Sequence, residues 1–140
     1  MDVSAYSLVA VSNKAAPLMK DGGSIVTLSY HGAQQVVPNY RVMGVAKAAL
    51  EACVRELAAD LGQEGIRVNA ISAGPIKTLA AAVLSDFKTM LTYCEERSPL
   101  RKLVSIEDVG NTAVSLVSEL SSAVTGEIQY VDSGFNITAS

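Results

Sequence analysis

Three short apolar runs along the chain have the pattern of strands buried within a sheet. They cover residues 24–29 (SIVTLS), 66–72 (IRVNAIS) and 127–133 (EIQYVDS). Each run is rich in β-branched and other apolar residues and is too short for a core helix, which favours strands covered on both faces. The longer segments between them have helical spacing. This alternation predicts an α/β fold in which parallel strands are joined by right-handed crossovers.

Four segments have the spacing of helices, and most carry start or stop signals. The sequence DGG at 21–23 ends the first helix, in which Pro17 implies a kink. Pro38 and Asn39 favour the start of the second helix, and SIED at 105–108 resembles a capping box that opens the last. The predicted helices cover residues 2–20, 38–62, 78–97 (one or two helices, with Ser85 as an internal cap) and 105–120, and a loop covers 30–37.

The second predicted helix is apolar along one face except at a single lysine. Steps of three and four residues from Tyr40 return to the same face of a helix. A step of seven returns to nearly the same angle, roughly 10 Å along the axis. Tyr40 and Lys47 are therefore predicted to lean toward a common point. The face comprises Tyr40, Met43, Lys47, Leu50, Val54, Leu57 and Leu61.

Two interpretations of Lys47 follow from these residues alone. In the first, which is favoured where no other context is considered, the aliphatic stem is buried and the ammonium stays in water. In the second, Lys47 serves chemistry, because an ammonium near the Tyr40 phenol lowers the phenol pKa from its ordinary value of about 10. Such a pair can donate a proton or stabilise an oxyanion.

Location within the predicted sheet supports the second interpretation. Ligands of open α/β sheets bind at the carboxyl ends of the strands. Tyr30 follows the first strand and the segment GPIKT at 74–78 follows the second, so both are expected at that edge. Five apolar residues are equally consistent with the wall of a cavity there and with the core: Met43, Ala80, Ala81, Leu84 and Phe87.

Composition narrows the class of protein. The 140 residues are enough for one domain with a substantial core, and 49% hydrophobic with 18% charged residues is a globular composition. The net charge of −3 and the scattered lysines and arginines argue against nucleic acid as a partner. No apolar run approaches the roughly 20 residues of a membrane span. No secretory pattern follows Met1, so the cytoplasm is the expected compartment.

The sequence predicts neither a metal site nor a disulfide, and it predicts an incomplete sheet. Cys53 and Cys94 lack metal-binding spacing and are expected to be reduced thiols packed inside. His31 is the only histidine, so no metal site is predicted. Three strands make a thin sheet whose first strand would have an apolar edge without a partner. We therefore expect this chain to be part of a larger sheet.

The spacing of the candidate residues resembles one family of enzymes. Tyr30, Tyr40 and Lys47, separated by nine and six residues and followed by NAISAGPIKTLAA at 69–81, resemble the bacterial and plastid enoyl-acyl-carrier-protein reductases. These belong to the short-chain dehydrogenase/reductase superfamily, most of which has lysine four residues after the tyrosine. Here that position is Gly44, and the lysine comes at seven, as in the enoyl reductases. The similarity extends over essentially the whole chain, including VVPNYRVMGVAKAALEA, IEDVGN and GEIQYVDSGF.

The resemblance implies a fold, a reaction and an assembly. The fold would be the C-terminal part of a Rossmann-type doubly wound parallel sheet, with the last three of seven strands and without the N-terminal dinucleotide-binding half. The reaction would reduce the trans-2 double bond of enoyl thioesters on acyl carrier protein in fatty acid elongation, with NADH, or alternatively NADPH, as cofactor. Helices 2–20 and 40–61 would pack between the subunits of a homotetramer. The alternative is a truncated, inactive relative that acts as an oligomerisation or interaction module, whereas the seven-residue spacing disfavours a ketone or alcohol oxidoreductase.

The resemblance also implies roles for individual residues. The catalytic residues would be Tyr40, Lys47 and Tyr30. Tyr40 would stabilise or protonate the enolate formed by hydride addition, and Lys47 would bind the ribose hydroxyls of the cofactor and supply positive charge near the phenol. Tyr30 would line the substrate pocket beside the acyl chain. Residues 79–87 would form a mobile lid over the acyl chain. The remaining contacts would be to the cofactor from Gly74, Pro75, Ile76 (through its backbone) and Thr78, and to the acyl chain from Met43 and from Ala80, Ala81, Leu84 and Phe87.

Three positions depart from the family pattern. Ser133 and Val83 stand where glycines are usual, and either change can alter a local turn because non-glycine residues resist positive φ. His31 stands where an apolar residue is usual, and we expect it to be a surface loop residue.

Overall fold

The computed structural model describes residues 5–76 and 85–138 of the chain. Its centre is a sheet of three parallel strands, β1 (Gly23–Tyr30), β2 (Ile66–Ala73) and β3 (Ile128–Val131), in the order β1-β2-β3. The three predicted strands and their parallel direction are confirmed. β2 lies in the centre of this sheet and is buried along nearly its whole length, as expected for a strand covered on both faces.

β3 ends two residues earlier than predicted because the chain turns sharply there. The carboxylate of Asp132 accepts hydrogen bonds from the backbone N–H groups of Gly134 and Asn136 at 3.0 and 2.9 Å. Ser133 and Gly134 have φ of 58° and 86°. Ser133 therefore adopts the positive φ that glycine adopts at lower cost. A short 3-10 turn, Phe135–Ile137, follows.

The described ranges contain four α-helices, which confirm the predicted helical segments where these are described; residues 78–84 of the third segment lie outside the described residues. The helices are α1 (Ser7–Ala15), α2 (Val42–Leu61), α3 (Ser85–Arg97) and α4 (Ile106–Val117). α1 is shorter than predicted and runs into a 3-10 turn that contains Pro17. α4 opens with the predicted capping box between Ser105 and Asp108. None of the described helices is long and apolar enough to cross a bilayer.

The predicted start of the second helix at residues 38–39 is wrong, because α2 begins only after residue 41. Asn39 and Arg41 have φ of 66° and 51°, which are incompatible with a right-handed helix. Tyr40 lies between them in a turn. Tyr40 is therefore not on the helical face that carries the lysine seven residues later, and its position is set by the turn instead.

α1 and α2 pack on the sheet through one continuous apolar cluster. Leu50, Val54 and Leu57 of α2, at spacings of four and three, are almost fully buried. They belong to one cluster with Val68 of β2 and Leu8 of α1. α4 contacts all three strands, so helices cover the sheet that carries the candidate site.

Both cysteines are free thiols, as predicted. Cys94 on α3 is buried, and Cys53 on α2 is half-buried against the core cluster. Burial raises the pKa of the Cys94 thiol, with a smaller contribution from the charge of Asp132, so this thiol is protonated at neutral pH.

We expect the buried stripe of α2 to be essential for stability. Leu50→Ala truncates a side chain that is 1% exposed and should lower the free energy of unfolding by about 2–5 kcal/mol. Val45→Ala, on the same helix at 62% exposure, is the matched control and should change it by less than about 0.5 kcal/mol. Urea denaturation followed by circular dichroism measures both variants. Equal losses in the two would contradict this description of the core.

Candidate active site

The carboxyl edge of the sheet brings three chain segments together. Tyr30 ends β1, and the parallel register pairs it with Ala73 at the end of β2. Ala73 in turn pairs with Val131 at the end of β3. Residues 74–76 follow directly, so the prediction that Tyr30 and this segment share one edge is confirmed.

Tyr30 and Tyr40 form an aromatic pair at this edge. Their ring centroids are 5.0 Å apart and their planes are inclined by 58°, a tilted arrangement that aromatic pairs favour. Both residues are half-buried. The turn that presents Tyr40 contains positive φ at Asn39 and Arg41. Positive φ at non-glycine residues costs free energy and is concentrated at functional sites.

Gly32 and Gly44 allow the loop after β1 to contact the start of α2. The ring of Tyr40 lies against Gly32, so a Cβ at residue 32 would overlap the ring. A Cβ at residue 44 would lie 2.7 Å from the carbonyl oxygen of Gly32, which is closer than Cβ atoms approach backbone oxygens. Residue 44 is the position four after Tyr40. Close backbone packing therefore excludes a lysine from that position in this arrangement.

Lys47 is half-buried on α2, and its ammonium binds the backbone of β1. Nζ donates a hydrogen bond to the carbonyl oxygen of Leu28 at 3.0 Å. Burial lowers the pKa of the Lys47 ammonium below its ordinary value. The ammonium is therefore bound to β1, the strand that ends in Tyr30. This differs from the first interpretation, in which the charge of Lys47 stays in water.

Burial raises the pKa of both phenols. For Tyr40, burial is the cause of the raised pKa. For Tyr30, burial is the largest cause, and the charges of Cys94 and Tyr40 raise the pKa further. The expectation that Lys47 lowers the pKa of Tyr40 is wrong for this structure, in which the ammonium binds the Leu28 carbonyl instead. Because their pKa values are raised, both phenols are protonated at neutral pH and can act as hydrogen-bond donors.

The predicted cofactor-binding segment lies at the end of β2. Gly74 is buried, and its N–H donates a hydrogen bond to the carbonyl oxygen of Val131 at 2.9 Å. A Cβ at residue 74 would lie 3.0 Å from the Cβ of Asp132, the residue that follows β3. Pro75 and Ile76 follow and are half-buried. Thr78 lies outside the described residues.

The predicted substrate-binding residues are only partly within the described ranges. Met43 is exposed in the first turn of α2, and Phe87 is half-buried on α3. The other positions of the predicted lid lie outside the described residues: Ala80, Ala81, Leu84 and the altered position Val83.

A cavity of about 450 Å³ opens beside Tyr40. Its wall is formed by residues 32–37, by the turn at Tyr40 and Arg41, and by the first turns of α2 as far as Ala48. Neither Tyr30 nor Lys47 lines it. Of the predicted site residues that the structure describes, Tyr40 alone lines this cavity, so the cavity adjoins the predicted site at that ring.

His31 lies in the loop after β1, as expected, but there it is half-buried in a 3-10 turn, His31–Ala33. Its ring centroid lies 5.7 Å from that of Phe135, and Nε2 is 3.1 Å from Oε1 of Gln35. Phe135 also contacts Tyr93 of α3, with ring centroids 6.0 Å apart. His31 thus joins the loop after β1 to the C-terminal turn and to α3.

The sequence interpretation missed a buried carboxylate beside this edge. Glu51 on α2 is 1% exposed. It accepts hydrogen bonds from Ser29 Oγ at 2.6 Å and from Gln34 Nε2 at 2.7 Å. A signal was present, because Glu51 follows Lys47 by four residues and therefore lies on the same side of the helix.

The parallel sheet, with a tyrosine pair at its carboxyl edge and Lys47 on the following helix, agrees with the short-chain dehydrogenase/reductase fold that the resemblance implies. A family model described as enoyl-(acyl carrier protein) reductase matches residues 1–136. The chain belongs to this family.

Relatives and solved structures agree with this assignment. The chain is 62% identical over 136 residues to enoyl-(acyl-carrier-protein) reductase (NADH) 1 of Rhizobium meliloti (strain 1021), covering 97% of this chain and 50% of the relative. The solved structure of the enoyl-(acyl-carrier-protein) reductase from Anaplasma phagocytophilum in complex with NAD has a TM-score of 0.94 at 53% identity, covering 98% of this chain and 52% of that chain. The Bacillus cereus reductase with NADP+ and indole naphthyridinone has a TM-score of 0.93 at 57% identity, covering 98% and 53%. The chain therefore spans about half the length of the relatives it matches, and this is their C-terminal half.

The raised pKa of Tyr30 predicts a loss of stability at high pH. Because the pKa of Tyr30 in the folded state lies above the ordinary 10.0, the folded state favours the neutral phenol. This contribution to stability is fully present below pH 10 and is lost as the pH rises through the folded pKa. Tyr30→Phe cannot ionise, so it should lose less stability than the parent between about pH 9 and about pH 11. Urea denaturation at the two pH values measures the difference.

Tyr6→Phe is the control for this experiment, because Tyr6 is 66% exposed on the surface. It should retain the pH dependence of the parent. A Tyr30→Phe variant with the same loss as the parent and the control would contradict the role of burial at Tyr30.

Proposed function

We propose that this chain provides the catalytic and substrate-binding half of a nicotinamide-dependent enoyl-acyl-carrier-protein reductase of fatty acid elongation. The dinucleotide-binding half would come from the part of the family fold that this chain does not span. The observation that carries the proposal is the pairing of Tyr40 with Tyr30 at the sheet edge, with Lys47 seven residues after Tyr40. The family membership and the 62% identity to a curated reductase support it.

The protonated phenol of Tyr40 would act on the substrate thioester. Addition of hydride to the β-carbon of an enoyl thioester moves negative charge onto the carbonyl oxygen, and the α-carbon then takes a proton. A phenol O–H directed at that oxygen stabilises the charge as it develops. Burial keeps the pKa of Tyr40 raised, so the proton is present when it is needed. Tyr30 would line the acyl pocket beside it.

The residues at this edge fit a nicotinamide cofactor, which supplies the hydride when bound. The Lys47 ammonium has three N–H donors, of which the Leu28 carbonyl takes one, so donors remain for the ribose hydroxyls. Ile76 follows the end of β2 and would present its backbone to the carboxamide. Gly74 and Pro75 would shape that approach, and Thr78 would contact the cofactor near its phosphates.

We propose NADH as the cofactor. The curated relative is named as an NADH enzyme, and the Anaplasma structure contains NAD. NADPH is the alternative, since the Bacillus cereus structure contains NADP+. The residues that choose between the two would belong to the dinucleotide-binding half.

We propose that the complete protein is a cytoplasmic homotetramer that acts on enoyl-acyl carrier protein. Apolar side chains are exposed on both helices that would pack between subunits, Tyr6 and Val11 at α1 and Val42 and Val45 on α2. Apolar residues on neighbouring helix faces are the feature that subunit contacts bury.

The same exposed faces support a second candidate function. A chain without the dinucleotide-binding half could act as an oligomerisation or interaction module that associates with itself or with complete subunits through α1 and α2. Catalysis distinguishes the two functions, because the module requires assembly but no turnover.

The 140-residue chain alone should bind NADH poorly. In folds of this class the pyrophosphate is held by a glycine-rich turn after the first strand, and this sequence contains no such turn. Isothermal titration calorimetry should therefore detect no saturable binding at micromolar NADH. The comparison is a fusion protein that joins this chain to the N-terminal half of the Rhizobium meliloti relative, which should bind. Saturable micromolar binding by the chain alone would overturn the prediction.

Tyr40→Phe and Lys47→Met should each damage enoyl reduction by the fusion protein. Loss of the phenol O–H should lower kcat by about 10²-fold, the magnitude measured for removal of one oxyanion donor. Loss of the ammonium should raise the KM for NADH as well. Lys20→Met, an exposed lysine near the opposite end of the sheet, is the matched control. The steady-state oxidation of NADH with an enoyl thioester measures all four proteins, and parental kinetics in both site variants would refute the assigned roles.

A further inference from the structure

Glu51 is a buried carboxylate within the apolar interior of α2. Its neighbours at positions 50 and 54 belong to the core cluster, yet Glu51 is as buried as they are. Removal of a carboxylate from water costs several kcal/mol of folding free energy unless its oxygens accept hydrogen bonds. An apolar residue would fill the same space without that cost, so the carboxylate has a purpose other than packing.

Both oxygens of Glu51 are used, and each binds a different segment of the chain. Ser29 Oγ, near the end of β1, donates to Oε1 at 2.6 Å. Gln34 Nε2, in the loop after β1, donates to Oε2 at 2.7 Å. Hydrogen bonds to an ionised acceptor are short, directional and stronger than those between neutral groups. Glu51 therefore fixes β1 and the loop relative to α2 at the same time.

The two segments bound by Glu51 are those that carry the tyrosine pair. Ser29 directly precedes Tyr30. Gln34 follows the turn that places Gly32 against the ring of Tyr40. Lys47, one helical turn before Glu51, donates a hydrogen bond to the backbone carbonyl of Leu28, the residue before Ser29. Two charged side chains of α2 thus hold consecutive residues of β1.

We propose that Glu51 is a positioning residue that sets the contact between the Tyr30 and Tyr40 rings. The catalytic consequence rests on the proposed reductase function, whereas the geometric consequence does not. Without the carboxylate, the end of β1 and the loop lose their common connection to α2. The tyrosine rings then separate, although the apolar core remains.

Exchange of the charged and amide partners tests this directly. Glu51→Gln replaces the bond between Gln34 and a carboxylate by a weaker amide–amide bond that requires the Gln34 amide to rotate, and Gln34→Glu places a second carboxylate opposite Glu51, so each single change weakens the arrangement. The double variant Gln34→Glu/Glu51→Gln restores an amide–carboxylate pair, and the amide oxygen introduced at position 51 can still accept from Ser29. Val54→Ala is the control, because it truncates a fully buried residue of the same helix that has only an apolar side chain.

The first measurement uses the 140-residue chain and is independent of activity. Nuclear Overhauser cross-peaks between the ring protons of Tyr30 and Tyr40 report the contact seen at 5.0 Å between centroids. Both single variants should weaken these cross-peaks, the double variant should restore them, and Val54→Ala should retain them. Ser29→Ala removes one of the two hydrogen bonds and gives a milder change if the single variants unfold. Unchanged cross-peaks in Ser29→Ala and in the single variants, or equal loss in Val54→Ala, would overturn the proposal.

The second measurement uses the fusion protein with enoyl thioester and NADH. Glu51→Gln should lower kcat by about 10- to 100-fold, as expected for a displacement of about 1 Å at a catalytic group, with little change in the KM for NADH. The double variant should recover most of the activity. A parent fusion without activity would refute the proposed function, while the ring contact would still decide the role of Glu51. Parental kcat in Glu51→Gln would refute its role in catalysis.

Discussion

The parallel register of the sheet is the constraint on which the site depends. Tyr30, Ala73 and Val131 pair in one row, and each is the last residue of its strand. Segments far apart in sequence therefore emerge together at one edge, where the loop after β1 and the residues after β2 are close neighbours. A shift of one residue in this register would turn the Tyr30 side chain to the other face of the sheet. Residues 74–76 and the tyrosine pair lie at the same edge only because the three strands end at the same level.

Burial then determines the protonation state of the groups at this edge. The same partial removal from water raises the pKa of Tyr30 and Tyr40 and lowers that of Lys47. For the phenols this favours the neutral donor, and for the lysine it disfavours the charged form, which the hydrogen bond to the Leu28 carbonyl counteracts. The expectation of a phenol activated by a neighbouring ammonium treated the two as an isolated pair, whereas the surrounding backbone competes for the lysine.

Much of the fold followed from local sequence patterns, and the failures have specific physical causes. The three apolar runs and the capping box at Ser105 predicted their elements correctly, because each pattern has one dominant structural solution. The start of α2 was wrong because helical spacing continues through Tyr40, while positive φ at Asn39 and Arg41 leaves no trace in hydrophobicity. Glu51 was missed because a carboxylate is ordinarily a solvent-exposed residue. Family-specific spacing indicated the site at Tyr40 and Lys47, but only the folded chain shows which segments support it.

The contact between Gly32 and Gly44 limits which side chains position 44 can carry in this chain. The common superfamily arrangement places a lysine four residues after the tyrosine, which here is the position where a Cβ would lie 2.7 Å from a backbone oxygen. A single substitution at that position would displace the loop that supports Tyr40 before it provided any useful ammonium. A side chain at residue 44 would therefore need a compensating shift of the loop that contains Gly32, and Gly32 lies against the ring of Tyr40. The absence of a side chain at one position of α2 thus decides how closely the loop, and with it the tyrosine ring, can approach the helix.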